Sequence, residues 1–460
     1  MGSLPCKELI AKEGICHTQT MEKQMTKLAR IAEMSSKQPD LVFTSIAHLI
    51  DDEMLKQCHR KMDKNKAVGI DGVSKEDYEK DLDDNIKDLV RRIRTRSYKP
   101  KPAKRVEIPK DNGKMRPLNI YCYEDKLVQA AIKEVLEAVF ESMFYNEMMG
   151  FRPHRNCHMA LALLNHMIEK ERTNYVLDAD IKGFFDHLDH ENCIRFIESR
   201  IKDPRFTRLI RVMLKAGIMD GFDFEESEEG SGQGSVCSPT IANIYMHYVL
   251  LWWFKERIQP NLKGYVGIVV YADDFVVTFQ HKDEAEWFYN RLKRRMGNFG
   301  LQMEEEKTRL IEFGRFAELN SQKRRHKAAE TFTFLGFTHY CSTAKGGWFR
   351  VKRKTSRKKF SKKCREMNRE ISLRRDIPIK DLISWINQVL DGYYNYYAIT
   401  DNSESLNRFY HYVLKLLFKW LNRRSQRRSL NYEHFNMMLR QYPVKIPKIK
   451  VNIYKIKYAI

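Results

Sequence analysis

Tyr271-Ala272-Asp273-Asp274 stands between two apolar runs, Gly267-Ile268-Val269-Val270 and Phe275-Val276-Val277. β-Branched residues on both sides favour strands, so these four residues form the tip of a hairpin that carries two neighbouring carboxylates. Adjacent carboxylates on a sharp turn suit metal-assisted phosphoryl transfer, because they can hold divalent cations over a phosphate. The plainer alternative is a solvated Asp-Asp turn joining two strands.

A paired-metal site needs a third carboxylate, since one cation serves the attacking oxygen and the other the leaving group, roughly 3.5–4 Å apart. Tyr175-Val176-Leu177-Asp178-Ala179-Asp180-Ile181-Lys182-Gly183-Phe184-Phe185-Asp186 supplies it. A strand with alternating apolar residues runs into Asp180 and breaks at Gly183, so Asp180 is the third ligand. Asp178 and Asp186 read as capping or solvated residues.

Taken in order from Lys64 to the C-terminus, these motifs resemble the reverse transcriptases, in particular group II intron-encoded proteins and their bacterial relatives. Lys64 to Gly72 resembles the N-terminal extension block of intron-encoded enzymes. Arg105 to Lys110 with Arg116-Pro117-Leu118, and then Gly150-Phe151-Arg152-Pro153, resemble the two fingers motifs. Asp180 to Asp186, Gln233-Gly234-Ser235 with Ser238-Pro239 and Ala242-Asn243, and the Tyr-Ala-Asp-Asp box resemble the catalytic motifs. Leu301 to Lys307 and Phe334-Leu335-Gly336-Phe337 resemble the last two palm motifs.

The resemblance implies an α+β right-hand polymerase, with fingers and palm built on an antiparallel sheet plus helices and an α-helical thumb. Its expected divisions are an unassigned extension over 1–40, fingers over 41–155, palm over 156–346 and a thumb with maturase-like RNA-binding character over 347–460. It also implies roles. Asp180, Asp273 and Asp274 would hold two magnesium ions, with manganese as a possible substitute and Ile181 as a further metal-holding position. Lys110 and Arg116 flank the turn signal Asp111-Asn112-Gly113, so both cations can project from a fingers hairpin toward an incoming triphosphate. Arg152 would order the fingers or the template path. Phe185 would be a steric gate that collides with a ribose 2′-hydroxyl and selects deoxynucleotides. Gln233 would contact nucleotide and template, and Lys307, expected in a charged helix, would donate a proton to the leaving pyrophosphate. The Gln233 loop departs from the family pattern, which has Pro before the Gln and Gly-Gly after it; here Gly232 precedes it and Gly234-Ser235 follows.

Charge points to the same partners independently. Lys and Arg number 82 against 60 Asp and Glu, a formal net charge of +22, which draws a polyphosphate backbone by counterion release. The excess is greatest over Lys323 to Arg375, where Lys352-Arg353-Lys354, Arg357-Lys358-Lys359 and Lys362-Lys363 read as clusters on a helix beside a duplex. Leu382, Ile383, Ile386, Val389 and Leu390, then Phe409, Tyr412, Val413, Leu416 and Leu417, recur at helical spacing, with Asn-Ser and Asp-Gly breaks between them. Tyr393, Tyr394, Tyr396 and Tyr397 read mostly as core, with some able to stack on bases.

Nine scattered cysteines without a Cys-x-x-Cys pair support neither a zinc module nor a disulfide framework and fit a cytoplasmic protein. No membrane span, secretion signal or Cys/His endonuclease module is expected. The expected partners are an RNA template, a DNA or RNA primer, dNTPs and a structured RNA, the group II intron that encodes the chain. The expected function is primer extension on RNA with assistance to splicing and retrohoming. The alternatives are a domesticated or antiphage-defence enzyme acting on another RNA, and a non-catalytic RNA-folding cofactor.

Overall fold

The computed structural model describes residues 27–109, 115–220, 223–225, 230, 232, 234–325, 328–424 and 430–458. The chain divides into two compact units. One takes residues up to His154 with Ile181–Asn261 and Asn290–Met303; the other takes Arg155–Asp180, Leu262–Tyr289 and Glu304–Ile460. The change at residue 155 coincides with the expected end of the fingers, whereas the stretch expected to be palm contributes to both units.

In the first unit, β1 (Ala103–Pro109) and β2 (Met115–Ile120) form an antiparallel hairpin that closes at Pro109 opposite Met115. In the second unit, β3 (Tyr175–Ala179) carries the segment that leads to Asp180. The first-unit sheet is completed by β4 (Ile218–Asp220), parallel to β1, and β5 (Asp223–Glu225), in the order β2-β1-β4-β5. The helix Tyr123–Phe140 supports this unit and buries Leu127, Val128, Ala131, Ile132, Val135, Leu136 and Val139. Its apolar residues recur on more than one face, so it sits in core rather than at the surface. The helix Ser238–Met246 begins with Pro239 in its first turn, as expected, where the missing N–H costs no hydrogen bond.

The second unit is organised by an antiparallel sheet in the order β6-β7-β3-β8, where β6 is Val266–Tyr271, β7 Asp274–Phe279 and β8 Arg309–Glu312. Phe275, Val276, Val277 and Phe279 are wholly buried, which is why the run reads as continuously apolar: an interior strand covered on both faces has no solvent side. A second sheet, β11-β10-β9, follows, with β9 at Phe332–Phe334, β10 at Phe337–Thr343 and β11 at Phe349–Thr355.

Helices Arg357–Leu373, Ile379–Tyr397, Ser403–Leu421 and Tyr432–Gln441 then enclose a core of Leu382, Ile383, Ile386, Leu390, Phe409, Val413, Leu416 and Leu417. Tyr393 and Tyr394 join this core and Tyr397 packs against it. The expected helices are present, with two corrections. Asp391-Gly392 does not break its helix, because the apolar positions on either side keep one continuous buried face. Lys352-Arg353-Lys354 lies on β11, not on a helix, and strand alternation turns Arg353 fully into the interior while Lys354 stays exposed.

Candidate active site

Residues Tyr271 and Asp274 pair across the β6–β7 hairpin, leaving Ala272 and Asp273 as a two-residue loop. Ala272 has φ +59°, a left-handed conformation that costs an L-residue about 1–2 kcal/mol. The loop holds this conformation because both strands behind it are locked in register. On the other side of β7, Asp178 opposes Val276 and Ala179 opposes Phe275, so one further step brings Asp180 opposite Asp274. Opposed residues share a face of a sheet, as do residues two apart on a strand. Asp178, Asp180 and Asp274 therefore stand on one face at one end of the sheet, with Asp273 on the loop above.

The electrostatics reflect that crowding. Asp274 is pushed up to about 7, first by burial and then by the charges of Asp273, Asp180 and Asp178, with Lys307 acting in the opposite sense. One side of Asp274 is nonetheless open to solvent, so the desolvation comes from atoms packed on its remaining sides. Asp178 is raised to about 6 by burial; Arg309, 4.0 Å away, opposes the rise and Asp180 adds to it.

Lys307 Nζ forms an ion pair with Asp180 Oδ2. Burial weighs against its charge, but the hydrogen bond and charge of Asp180 raise its pKa above the ordinary lysine value. It does not lie on a helix as expected: residues 305–307 form a turn that leads to β8. Glu304 N–H donates to Asp180 O at 2.8 Å, which joins this turn to the end of β3 and delivers the lysine to the carboxylate.

Four carboxylates therefore share the sheet end with two cations. Carboxylate oxygens are hard donors of the kind divalent cations prefer, so the donor set fits such ions. Among the described residues no group of three or more His, Cys, Asp or Glu is already arranged as a metal cage. One Asp180 oxygen, Oδ2, is held by Lys307.

The remaining expected site residues lie in the first unit. Ile181 is buried and forms an antiparallel bridge with Met303. Because Lys182 N–H donates to Gln302 O and Glu304 N–H to Asp180 O, the Ile181 carbonyl is directed away from the 302–304 segment, and that carbonyl is the only group Ile181 could offer a cation. Phe185 is half-buried in the turn Phe184–His187, its ring edge-on to the buried Phe184 at 5.3 Å, so it is not simply core. Arg116 is exposed on β2 opposite Ile108. Lys110 and Gln233 lie outside the described residues.

Arg152, expected to order the fingers or the template path, makes its bonds within the chain. It is buried, and its guanidinium bonds Glu141 Oε1 at 3.0 Å, Tyr145 O at 2.7 Å, Met148 O at 2.9 Å and Glu141 O at 3.3 Å, so its donors hold the segment Glu141–Met148 in place. The unusual glycines around Gln233 also have a reason. A Cβ on Gly232 would meet Tyr121 Oη at 2.2 Å, and one on Gly234, where φ is +119°, would meet Asn119 O at 2.3 Å. The backbone passes too close to β2 for any side chain.

Sequence reasoning missed Asp178 as a member of the cluster, although its period-two relation to Asp180 was a usable signal. It also missed Asn243, whose buried amide donates to Gly150 O at 2.9 Å and joins two of the motifs.

Residues 108–339 match the family described as reverse transcriptase (RNA-dependent DNA polymerase), and residues 357–438 match the maturase-specific domain of group II introns. The group II intron-encoded protein LtrA of Lactococcus lactis subsp. cremoris is 28% identical over 85% of this chain and 76% of its own length. Protein YkfC of Escherichia coli is 31% identical over 54% of this chain and 74% of its own length. A 91 kDa protein in the cob intron of Schizosaccharomyces pombe is 32% identical over 52% of this chain and 29% of its own length. Enzymes with this polymerase domain generally use divalent metal ions. With its α+β fold, its carboxylate-bearing hairpin and its maturase-specific domain, the chain belongs to the group II intron reverse transcriptase/maturase family and is an RNA-directed DNA polymerase.

Proposed function

We infer that the chain extends a primer 3′-hydroxyl on an RNA template with two magnesium ions held by Asp180, Asp273 and Asp274, manganese being a possible substitute, and that it binds a group II intron RNA to assist splicing and retrohoming. The observation that carries this reading is the convergence of four carboxylates at one sheet end, where burial first and the charges of Asp273, Asp180 and Asp178 next raise Asp274 to about 7. When bound, the ions would supply the positive charge that favours ionisation of the 3′-hydroxyl and offsets charge on the leaving pyrophosphate.

The chain's own residues have separate tasks. Asp180, Asp273 and Asp274 position the reacting phosphate through the ions, with the Ile181 carbonyl as a further oxygen donor. Lys307, whose Nζ pairs with Asp180, would deliver a proton to the pyrophosphate. Arg116 and Lys110 neutralise the triphosphate. The Phe185 ring excludes a 2′-hydroxyl, Gln233 contacts nucleotide and template, and Arg152 keeps the Glu141–Met148 segment ordered.

Primer extension on an RNA template with dNTPs tests the assignment. The pair Asp273→Asn, Asp274→Asn should abolish extension while RNA binding persists; synthesis equal to wild type would remove these residues from the catalytic role. Protection of the intron RNA encoded beside the gene, and its absence with an unrelated structured RNA of equal length, tests the maturase assignment.

A further inference from the structure

The second unit contains a cleft of about 1110 Å³ that the reaction does not use, larger than the roughly 300–1,000 Å³ of most small-molecule sites. It lies at the other end of the palm sheet from the carboxylates. Gly314 follows β8 and packs against Thr173, before β3, so about 20 Å of strand separates this end from Asp180. Its walls are the helix Ala317–Arg325 and the edge of β10.

Three features of the cleft combine. The first is an aromatic platform: Trp348, on the β10–β11 connection, is 66% exposed. Its ring lies against Gly346, where a Cβ would meet ring atoms at 1.8 Å, and most of the side chain is open to solvent. The second is an open strand edge. β9 covers β10 only as far as His339. Ala344 N–H donates to Trp348 O and Ser356 N–H to Gly336 O, and the alternation this sets turns the N–H and C=O of Cys341 and Thr343 away from β11, into the cleft. The third is charge. Lys170 and Arg315 line the cleft, are exposed and make no ion pair among the described residues. Two carboxylates share the lining: Glu169, which accepts from Val351 N–H at 2.7 Å and Tyr454 Oη at 3.2 Å and so is held at the wall, and Glu318 on the rim.

An exposed aromatic ring, backbone donors and acceptors beside it, and exposed cations are what an unpaired nucleotide requires: stacking for the base, an edge for its hydrogen bonds, and charge for the phosphate. A duplex would use the cations but leave the platform and strand edge idle. We propose that this cleft binds a single-stranded RNA segment, a loop or bulge of a structured RNA, at a site separate from the polymerase centre. The proposal rests on the maturase reading for the source of that RNA, not for the binding itself.

The test uses the full chain and a short fluorescein-labelled oligouridylate, with the polymerase centre first saturated by unlabelled primer–template. The oligonucleotide should still bind. Trp348→Ala should weaken that binding about 5- to 100-fold, and Gly346→Ala, which displaces the ring, should weaken it in the same direction. The pair Lys170→Ala, Arg315→Ala should reduce the slope of log affinity against log salt by about 1.4. Primer extension and Tm should stay at wild-type values, because Trp348 is a surface residue. Loss of all oligonucleotide binding on saturation with primer–template would overturn the proposal, as would wild-type affinity in all these variants. Equal competition by poly-glutamate would overturn the base-stacking assignment. Failure of the polymerase reading would appear separately, as absence of primer extension by the wild-type chain.

Discussion

Two charged clusters in the second unit are built in opposite ways. At the corner between β11 and the last long helices, Arg353 is fully buried, faces Asp401 at 3.5 Å and donates to the Asn165 side chain; the neighbouring Asn402 accepts Thr355 N–H at 2.8 Å. Burial lowers the Arg353 pKa and Asp401 opposes that shift, so the charge is matched within the chain. At the hairpin tip, Lys307 pairs with Asp180 and Arg309 stands 4.0 Å from Asp178, yet Asp274 rises to about 7, first through burial. In the first cluster the buried cation meets its counter-charge; in the second the charges of neighbouring carboxylates add to the rise of Asp274.

The contrast can be broken most severely at the tip. Asp274→Asn should lower primer extension by about 10³-fold or more, on the order of 4 kcal/mol in the barrier, while Tm holds or rises because a repelling charge is gone. A falling Tm would mean that the carboxylate is structural. Arg353→Met should behave in the reverse manner. It removes one of the two guanidinium groups that face Asp401, Arg350 at 3.1 Å being the other, and strips the Asn165 side chain of its donor, so it should cost about 1–3 kcal/mol in denaturant unfolding.

His247 in the first unit shows a third solution, in which charge is avoided. Burial, followed by the Arg152 charge, pushes its imidazole down to about 4, and it stacks on Tyr145 at 5.4 Å. The unfolded chain takes up this proton near 6.5 and the folded chain only near 4, so the stability contribution is complete above 6.5 and is lost as pH falls toward 4. The loss amounts to about 3 kcal/mol, and a His247→Gln variant should have a flatter stability profile over that window.

Phe185→Ala should reduce discrimination against ribonucleotides about 10- to 100-fold in single-nucleotide extension, with dNTP insertion nearly retained; unchanged discrimination would remove the steric-gate assignment. The smallest effect is expected from Ala272→Gly, which relieves the φ of +59° at the loop. Stability should rise by at most about 1 kcal/mol, and extension should remain near wild type.

Local patterning made part of this legible beforehand. Apolar runs on either side of the Tyr-Ala-Asp-Asp box announced the hairpin, the strand ending at Asp180 was readable from alternation, and the last helices followed from their 3.6-residue periodicity. What escaped depends on long-range partners. Lys307 reaches Asp180 across 127 positions, and Arg353 is buried because Asn165 and Asp401 meet it from distant segments. Nothing local in Lys352-Arg353-Lys354 distinguishes its middle cation except strand alternation, which a helical reading conceals. The carbonyls that Arg152 binds were likewise hidden, because a guanidinium gives no local sign of its partners. Asp391-Gly392 resembled a break because the helix that tolerates it is stabilised by its buried face, not by its propensity.

We infer that the hairpin tip is a cation site completed from outside the chain. Its most direct test is manganese binding followed by electron paramagnetic resonance, with primer–template and a non-hydrolysable dNTP present, on the wild-type chain and on Asp273→Asn, Asp274→Asn. The wild-type chain should take up manganese saturably, and the variant should lose that uptake while still binding primer–template. Equal uptake by the two proteins would contradict the claim.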